Sequence, residues 1–445
     1  MNRRNLIKGV SGTAAGFMLS KYTLGEERGQ KRPNVLLIVT DNQRPDTIAA
    51  LGNKHIKTPN LDRLVREGFA FNNAYFMGST SGATCLPSRT MLMTGRTLFR
   101  VPLRRMSEEE EAAKPITGIA VLPKTMKEAD YNTLRTGKMG NYPRFAAQEF
   151  HKNIVVARSV NGSQRHANNA IEFLRSQTPE KPFFLYVAFA APNDPHVGPG
   201  TAPKKYMDMY MPGDVPVPPN YMPIHPFDNG EMIIRDELLA PWPRTKEVIE
   251  RHLAGFYSVI TYMDHAIGRI LEALKETGQS DNTLIIFAAD TGTAIGSHGL
   301  VGMQNLYEHS VGVPLIFSGP GIPKGKRSDA LVYLYDIFPT ICDLTELAIP
   351  EGVDGKSLGP IMEGAAKNVR NSLFTAYKDV QRAVRDERWK LIRYPHVNET
   401  QLFDLKNDPH EMNDLAEDPS YAAKVREMMD LLRKSQQQLG DRTKL

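Results

Sequence analysis

Cys85-Leu86-Pro87-Ser88-Arg89, followed by Thr94-Gly95-Arg96, is the stretch on which the reading of this chain turns. Pro87 suits the first turn of a helix, where its missing N–H costs nothing. Ser88 to Met93 then propagate the helix until Gly95 stops it. The side chain at position 85 is thereby set at a helix start, where free backbone N–H groups and the helix dipole favour an anion. Arg89 lies one helical turn further on and reaches the same anion.

Outward from that helix, short apolar runs end in polar residues. Residues 35–39 lead to Asp41, 183–189 to Asn193 and Asp194, and 284–289 to Asp290. Runs of this length and β-rich composition read as buried strands of a parallel sheet. Ligands of such sheets bind beyond the carboxyl ends of the strands, so Asp41 and Asp290 are expected to converge. Helical patterns lie between them, at 61–67 closed by Gly68, at 122–129, at 164–175, and at 248–276 closed by Gly278. Alternating strand and helix predicts an α/β sandwich. Residues 191–243, rich in Pro, Met and Tyr and without periodicity, read as a long loop that rims the substrate site. Short antiparallel strands follow at 374–378, 381–385, 389–394 and 401–404, then a helix at 421–437.

The stretch at 85–89 resembles the Cys-x-Pro-Ser-Arg signature of sulfatases, whose cysteine is oxidised to formylglycine by a formylglycine-generating enzyme. Further segments resemble sulfatase segments in family order. These are Pro33-Asn34-Val35-Leu36-Leu37-Ile38-Val39-Thr40-Asp41, Thr58-Pro59-Asn60-Leu61-Asp62-Arg63-Leu64, Phe71-Asn72-Asn73-Ala74-Tyr75, Gly319-Pro320-Gly321 and Leu402-Phe403-Asp404-Leu405. The resemblance implies an alkaline-phosphatase-like α/β sandwich, a large mainly parallel sheet between helices. It also implies a smaller C-terminal subdomain with a short antiparallel sheet and a terminal helix. Residues 32–370 would form the catalytic domain and 371–445 the subdomain. The implied reaction is hydrolysis of a sulfate monoester on a sulfated carbohydrate or small sulfate ester. The hydrated formylglycine is its nucleophile, and the cofactor is a divalent metal, usually calcium, on carboxylate and amide oxygens, as a hard cation prefers.

Carried over residue by residue, the resemblance makes Cys85 the nucleophile precursor, and gives Arg89 and Lys138 to catalysis. Lys138, in Thr136-Gly137-Lys138, also contacts the sulfate. Metal ligation falls to Asp41, Asn42, Cys85, Asp290 and Thr291. Asn42 stands where a second aspartate is common, and Thr291 where Asn or His follows the late aspartate. Met139 and Gly140 replace a Trp-His pair, Asn193 replaces a histidine, and Met303 replaces a lysine in Gly302-Met303-Gln304-Asn305-Leu306-Tyr307-Glu308. Asn42 and Thr291 keep an oxygen, whereas Gly140, Asn193 and Met303 remove groups that handle protons or sulfate charge. Losing one general acid costs a factor of ~10² to 10⁴. Weak turnover is therefore expected, and the alternative is a non-catalytic sulfatase-like protein that binds a sulfated glycan. A phosphoryl hydrolase of the same superfamily fits Cys85 poorly, since that class takes Ser or Thr there. Substrate contacts are expected from Lys138, Asn193, His196 and His298, the two histidines standing in for lost donors. His309 is expected in a structural hydrogen-bond network.

Bulk properties narrow the partners. The net charge of +5 is spread without a basic block, which excludes a nucleic-acid partner on this reading. The acidic run at 108–111 reads as a solvated face. Cys85 and Cys342 are the only cysteines, so no disulfide framework exists, and Cys342 reads as a buried helical residue. Asn2-Arg3-Arg4 followed by a small-residue apolar stretch at 9–19 resembles a twin-arginine export signal over 1–28. No run reaches the ~18 apolar residues of a membrane span. A periplasmic or secreted protein with no integral membrane segment is expected.

Overall fold

Asn34–Asp41 forms β1, and every one of its residues is buried. A strand of that kind belongs at the centre of a sheet covered on both faces. The structure, a computed structural model, describes residues 31–101, 116–193 and 201–445. The export signal, the acidic run at 108–111, and His196 lie outside the described residues.

β1 pairs in parallel with β6 (Phe183–Pro192) on one side and β7 (Thr283–Ala289) on the other. The sheet continues through β4 (Asn132–Lys138) and β5 (Lys152–Val156) beyond β6. On the β7 side it continues through β8 (Gly312–Ser318), β2 (Gly68–Tyr75) and β9 (Lys326–Tyr333). The order is β5-β4-β6-β1-β7-β8-β2-β9, and β8 alone runs against its neighbours. The three strands expected from the apolar runs are the three central ones.

Alternation along β1 divides the core in two. Leu36 and Ile38 pack with Leu61 and Leu64 of helix Pro59–Glu67, Ala167 and Leu174 of helix Gly162–Ser176, and Met263 and Ile267 of helix Lys246–Glu276. Val35, Leu37 and Val39 face the other way, toward Met91 and Leu92 of helix Cys85–Thr94 and Phe338 of helix Ile337–Leu344. Cys342 lies buried in that last helix, as expected.

The same second face carries a five-stranded sheet. β10 (Leu373–Tyr377), β11 (Gln381–Arg385), β12 (Trp389–Tyr394) and β13 (Glu399–Asp404) form an antiparallel meander. β3 (Gly78–Ser79), from just ahead of the Cys85 helix, adds to β10 in parallel. Helix Ala422–Leu439 closes the chain. The stretch 201–243 is irregular as anticipated, yet not loose. Tyr210, Val215 and Ala240 are buried against Ile249 and Leu253 of the long helix, and Tyr221 bridges to Ser297. Among the described residues no helix is long and apolar enough to cross a membrane.

Candidate active site

The site grows from neighbouring strand ends. Asp41 is the last residue of β1, and Asp290 follows β7, its N–H donating to the Thr40 carbonyl at 3.0 Å. Asn42 turns the chain with φ 62°, a left-handed value that asparagine tolerates. That turn aims its backbone N–H at Asp290 Oδ1, 3.0 Å away. Thr291 donates its hydroxyl to Asn42 Oδ1 at 2.8 Å. Asp290 and the Asn42 amide are thus tied together across the ends of β1 and β7.

The helix Cys85–Thr94 supplies the opposing wall. It starts and stops where the sequence indicates, Gly95 taking φ 63° and donating its N–H to the Met91 carbonyl at 2.8 Å. Cys85 Sγ lies 3.1 Å from Asp41 Oδ1 and 3.4 Å from Asn42 Oδ1. One turn on, Arg89 Nε donates to Asp290 Oδ2 at 2.7 Å, both side chains being 1% exposed. Its terminal nitrogens reach the Tyr186 hydroxyl at 3.2 Å and the carbonyls of Thr40 and Phe189, each at 3.4 Å. Ser88 Oγ donates to the Asp290 carbonyl at 2.6 Å. Lys138, at the end of β4, pairs with Asp41 Oδ2, and Asn193, just past β6, donates Nδ2 to Asp41 Oδ1 at 3.2 Å.

Electrostatics follow from this packing. Burial would raise the Asp41 carboxyl, but Lys138 and Arg89 outweigh it and hold the group below its ordinary range. Asp290 goes the other way, raised by burial and by Asp41 despite Arg89. The Lys138 ammonium is opposed by burial and sustained by Asp41. The Cys85 thiol is driven well above its usual value, first by burial and then by Asp290 and Asp41. The helix start was expected to favour an anion at this position. Burial beside two carboxylates overrides it, so the unmodified sulfur is a neutral thiol, a poor nucleophile.

Asp41, Cys85 and Asp290 bring their donor atoms within 4.8 Å of one another, a possible metal site. The donors suit a hard divalent cation: two carboxylates and an amide oxygen. Asn193 Oδ1, buried and without a hydrogen-bond partner among the described residues, is a further oxygen at the edge of the group.

The residue model of the Sulfatase family matches residues 33–347, and that of the N-sulphoglucosamine sulphohydrolase C-terminal region matches 296–438. The chain belongs to the sulfatase family. It is 29% identical to the arylsulfatase of Clostridium perfringens, over 91% of this chain and 93% of that one. The N-acetylglucosamine-6-O-sulfatase of Bacteroides thetaiotaomicron is 26% identical, over 96% and 90%. A protein solved with its substrate D-glucosamine-2-N,6-O-disulfate shares the fold at TM-score 0.72 and 23% identity, over 93% and 99%.

Of the other residues singled out in this sulfatase, Met303 alone has a contact with the cluster among those described. Met303 is buried, its sulfur 4.0 Å from Asn42 Nδ2. Gly140 has φ 76° and open space about its α-carbon. His298 stacks on the Tyr307 ring at 3.8 Å, with Nε2 2.8 Å from the Glu411 carbonyl and Nδ1 3.4 Å from Asn220. Burial presses its pKa down to about 4. The His309 ring lies stacked along His298 and Tyr307, and neither of its nitrogens has a hydrogen-bond partner among the described residues, so the expected network does not include the ring. Ser88 and Tyr186, which clamp Asp290 and Arg89, carry no sequence signal beyond Ser88's place in the signature. Behind Asn305, Tyr307 and Glu308, a buried network of Tyr75, Glu308, Arg385, Lys390 and Glu411 ties the two sheets together.

Proposed function

We propose that this sulfatase hydrolyses sulfate monoesters on a sulfated carbohydrate, with a nucleophile made from Cys85 and a divalent cation, calcium by its donor set. One observation carries the reading. Cys85, inert as a thiol, sits at a helix start beside Asp41, with Lys138 and Arg89 held at the same place by the two carboxylates. The aldehyde made there, once water adds to it, would supply the nucleophilic hydroxyl, and the cation would supply charge that polarises it and the sulfate oxygens. Asp41, Asn42 and Asp290 would hold the cation, with Thr291 orienting Asn42. Lys138 lies against Asp41, where it can also donate to the substituent at 85 and to the sulfate. Arg89 pairs with Asp290 and holds it in place.

The names of the relatives support a carbohydrate substrate, and the paired arginines at 3 and 4 support export to the periplasm or beyond. Residues 32–370 are read as the catalytic domain and 371–445 as its subdomain. A second reading, a sulfated-glycan-binding protein without turnover, is favoured by the donors missing at Gly140, Asn193 and Met303.

Peptide mass spectrometry of protein made beside an active formylglycine-generating enzyme tests the first reading. A loss of about 18 Da at Cys85, thiol to aldehyde, with sulfate released from a sulfated-glycan panel, is the expected result. An unmodified Cys85 while a control sulfatase is converted would overturn it in favour of binding.

A further inference from the structure

Two departures from the sulfatase pattern touch one another. Asn42 stands where a second aspartate is common, and Met303 where a lysine is. In the fold Asn42 Nδ2 lies 4.0 Å from the Met303 sulfur, across 261 residues of chain. Both residues are buried, at 2% and 7% exposure. The charges they leave out are of opposite sign.

That contact decides which way round the Asn42 amide stands. A thioether accepts hydrogen bonds weakly and donates none, so the amide group it faces is the NH₂ and not the oxygen. Nδ2 has no other hydrogen-bond partner among the described residues. Oδ1 is thereby turned the other way, 3.4 Å from Cys85 Sγ and accepting from the Thr291 hydroxyl at 2.8 Å. The backbone of Asn42 is held separately, its N–H on Asp290 Oδ1 at 3.0 Å. What Met303 settles is the side chain.

Met303 meets Asn42 from a fixed seat. Glu237 Oε2 accepts from the Val301 N–H at 3.0 Å, and Oε1 from the Gly302 N–H at 2.9 Å. Arg244 pairs with that carboxylate at 2.6 Å, the side chains being 0% and 4% exposed. Gln304 Oε1 accepts the Met303 N–H at 3.0 Å. A lysine in that seat would aim an ammonium at the NH₂ group, donor against donor. An aspartate at 42 would set a third carboxylate beside Asp41 and Asp290 without a new cation opposite it. Either change alone buries an unmatched charge, whereas the two together bury a pair.

We propose that Met303 is a positioning residue for Asn42: thioether and amide act as one unit, in place of a carboxylate–ammonium pair, and keep Oδ1 turned toward the divalent cation. The cation in this proposal rests on the sulfatase reading; the pairing does not.

The test uses full-length wild type, Met303→Leu, Met303→Lys, Asn42→Asp and the double variant Asn42→Asp/Met303→Lys. Calcium affinity is read by calorimetric titration of metal-free protein, and stability by melts in EDTA. Losing a partner that orients a metal ligand costs 10–100-fold in affinity, and a weak acceptor belongs at the low end. Met303→Leu, of similar bulk but without the acceptor, should therefore bind calcium about tenfold more weakly and melt close to wild type. Met303→Lys should lose at least as much, and adding Asn42→Asp should recover most of that loss. Saturating calcium would hide these losses, so affinity and not turnover is the readout. In EDTA, Met303→Lys and Asn42→Asp should each melt lower, and the double variant should lose less than the two drops combined. The φ of 62° at position 42 is one that aspartate also tolerates. Additive drops in EDTA, or undiminished calcium affinity in both Met303 variants, would overturn the proposal. Failure of the sulfatase reading looks different: wild type takes up no calcium and Cys85 stays a thiol, while the melts in EDTA still report on the pair.

Discussion

Replacing Arg89 with glutamine tests the internal logic of the cluster without relying on turnover. Arg89 and Asp290 are both 1% exposed and 2.7 Å apart, so removing the guanidinium leaves a carboxylate in a closed site already raised by burial and by Asp41. Breaking a buried pair from one side costs roughly 3–5 kcal/mol. With an unfolding entropy of about 2.1 cal/mol/K per residue, a unit the size of Arg32–Leu445 should melt roughly 3–6 °C lower. Circular dichroism melts in EDTA measure that drop. Excess calcium should then recover more of it in Arg89→Gln than it adds to wild type, because a cation takes over the lost positive charge. Saturation at a hundredfold over Kd is worth about 2.7 kcal/mol. Asp290→Asn alone should also destabilise, and the double variant should lose less than the two single losses combined. A melt unchanged by Arg89→Gln, or strictly additive losses in the double variant, would refute the pairing argument.

Further outcomes follow from the missing donors and the second buried network. Met303→Lys, Asn193→His and Gly140→His combined should raise sulfate release. Each restored donor is worth roughly 1.5–3 kcal/mol on a charged group, and a folded, metal-loaded triple variant with no gain would refute that account. Gly140→His alone should cost about 1 kcal/mol of stability, since its φ of 76° disfavours any side chain although none would clash. Glu411, raised by burial from an ordinary 4.5 to about 7, contributes stability that is full below 4.5 and lost as the pH rises through 7. Glu308, held near 2 against burial by Lys390 and Arg385, contributes in the opposite sense, losing its share as the pH falls from 4.5. Glu411→Gln should therefore gain on wild type between pH 5 and pH 8, by at most about 3 kcal/mol from linkage, read as a flatter melting profile.

The central strands and the meeting of Asp41 with Asp290 were legible because both rest on local rules. A buried apolar run of five to seven residues is a strand, and polar residues at its carboxyl end face the crevice. The start and stop of the Cys85 helix were legible for the same reason. What escaped depended on distant pairing. β8 is as buried as β7 beside it, and nothing in its composition tells that it runs against both of its neighbours. β3 is two residues long and exists only because β10 lies beside it. Tyr186 meets Arg89 across 97 residues, which no spacing rule reaches. The fate of His298 was likewise decided from afar, by a carbonyl at Glu411 and the ring of Tyr307.

The charge balance of the site yields a last expectation. Asp41 and Asp290 are matched by Lys138 and Arg89, and Cys85 as a thiol adds nothing, so the inner cluster is neutral by itself. A sulfate monoester carries a negative charge and finds no net attraction in a neutral pocket. The resemblance to sulfatases implies a lysine where Met303 stands; here Met303 offers only a sulfur beside Asn42. A divalent cation on Asp41, Asn42 and Asp290 would turn the cluster net positive by two charges. One unit charge at ~4 Å is worth about 4 kcal/mol near a protein surface. Anion affinity in this chain should consequently depend on metal more steeply than in a relative that keeps the lysine. Titrating inorganic sulfate in calcium and in EDTA, with wild type and Met303→Lys side by side, reads this directly. Chelation should weaken sulfate binding at least tenfold in wild type and less in Met303→Lys, whose ammonium retains part of the attraction. Equal sulfate affinity with and without chelator in wild type would show that the anion does not rely on a cation at Asp41 and Asp290.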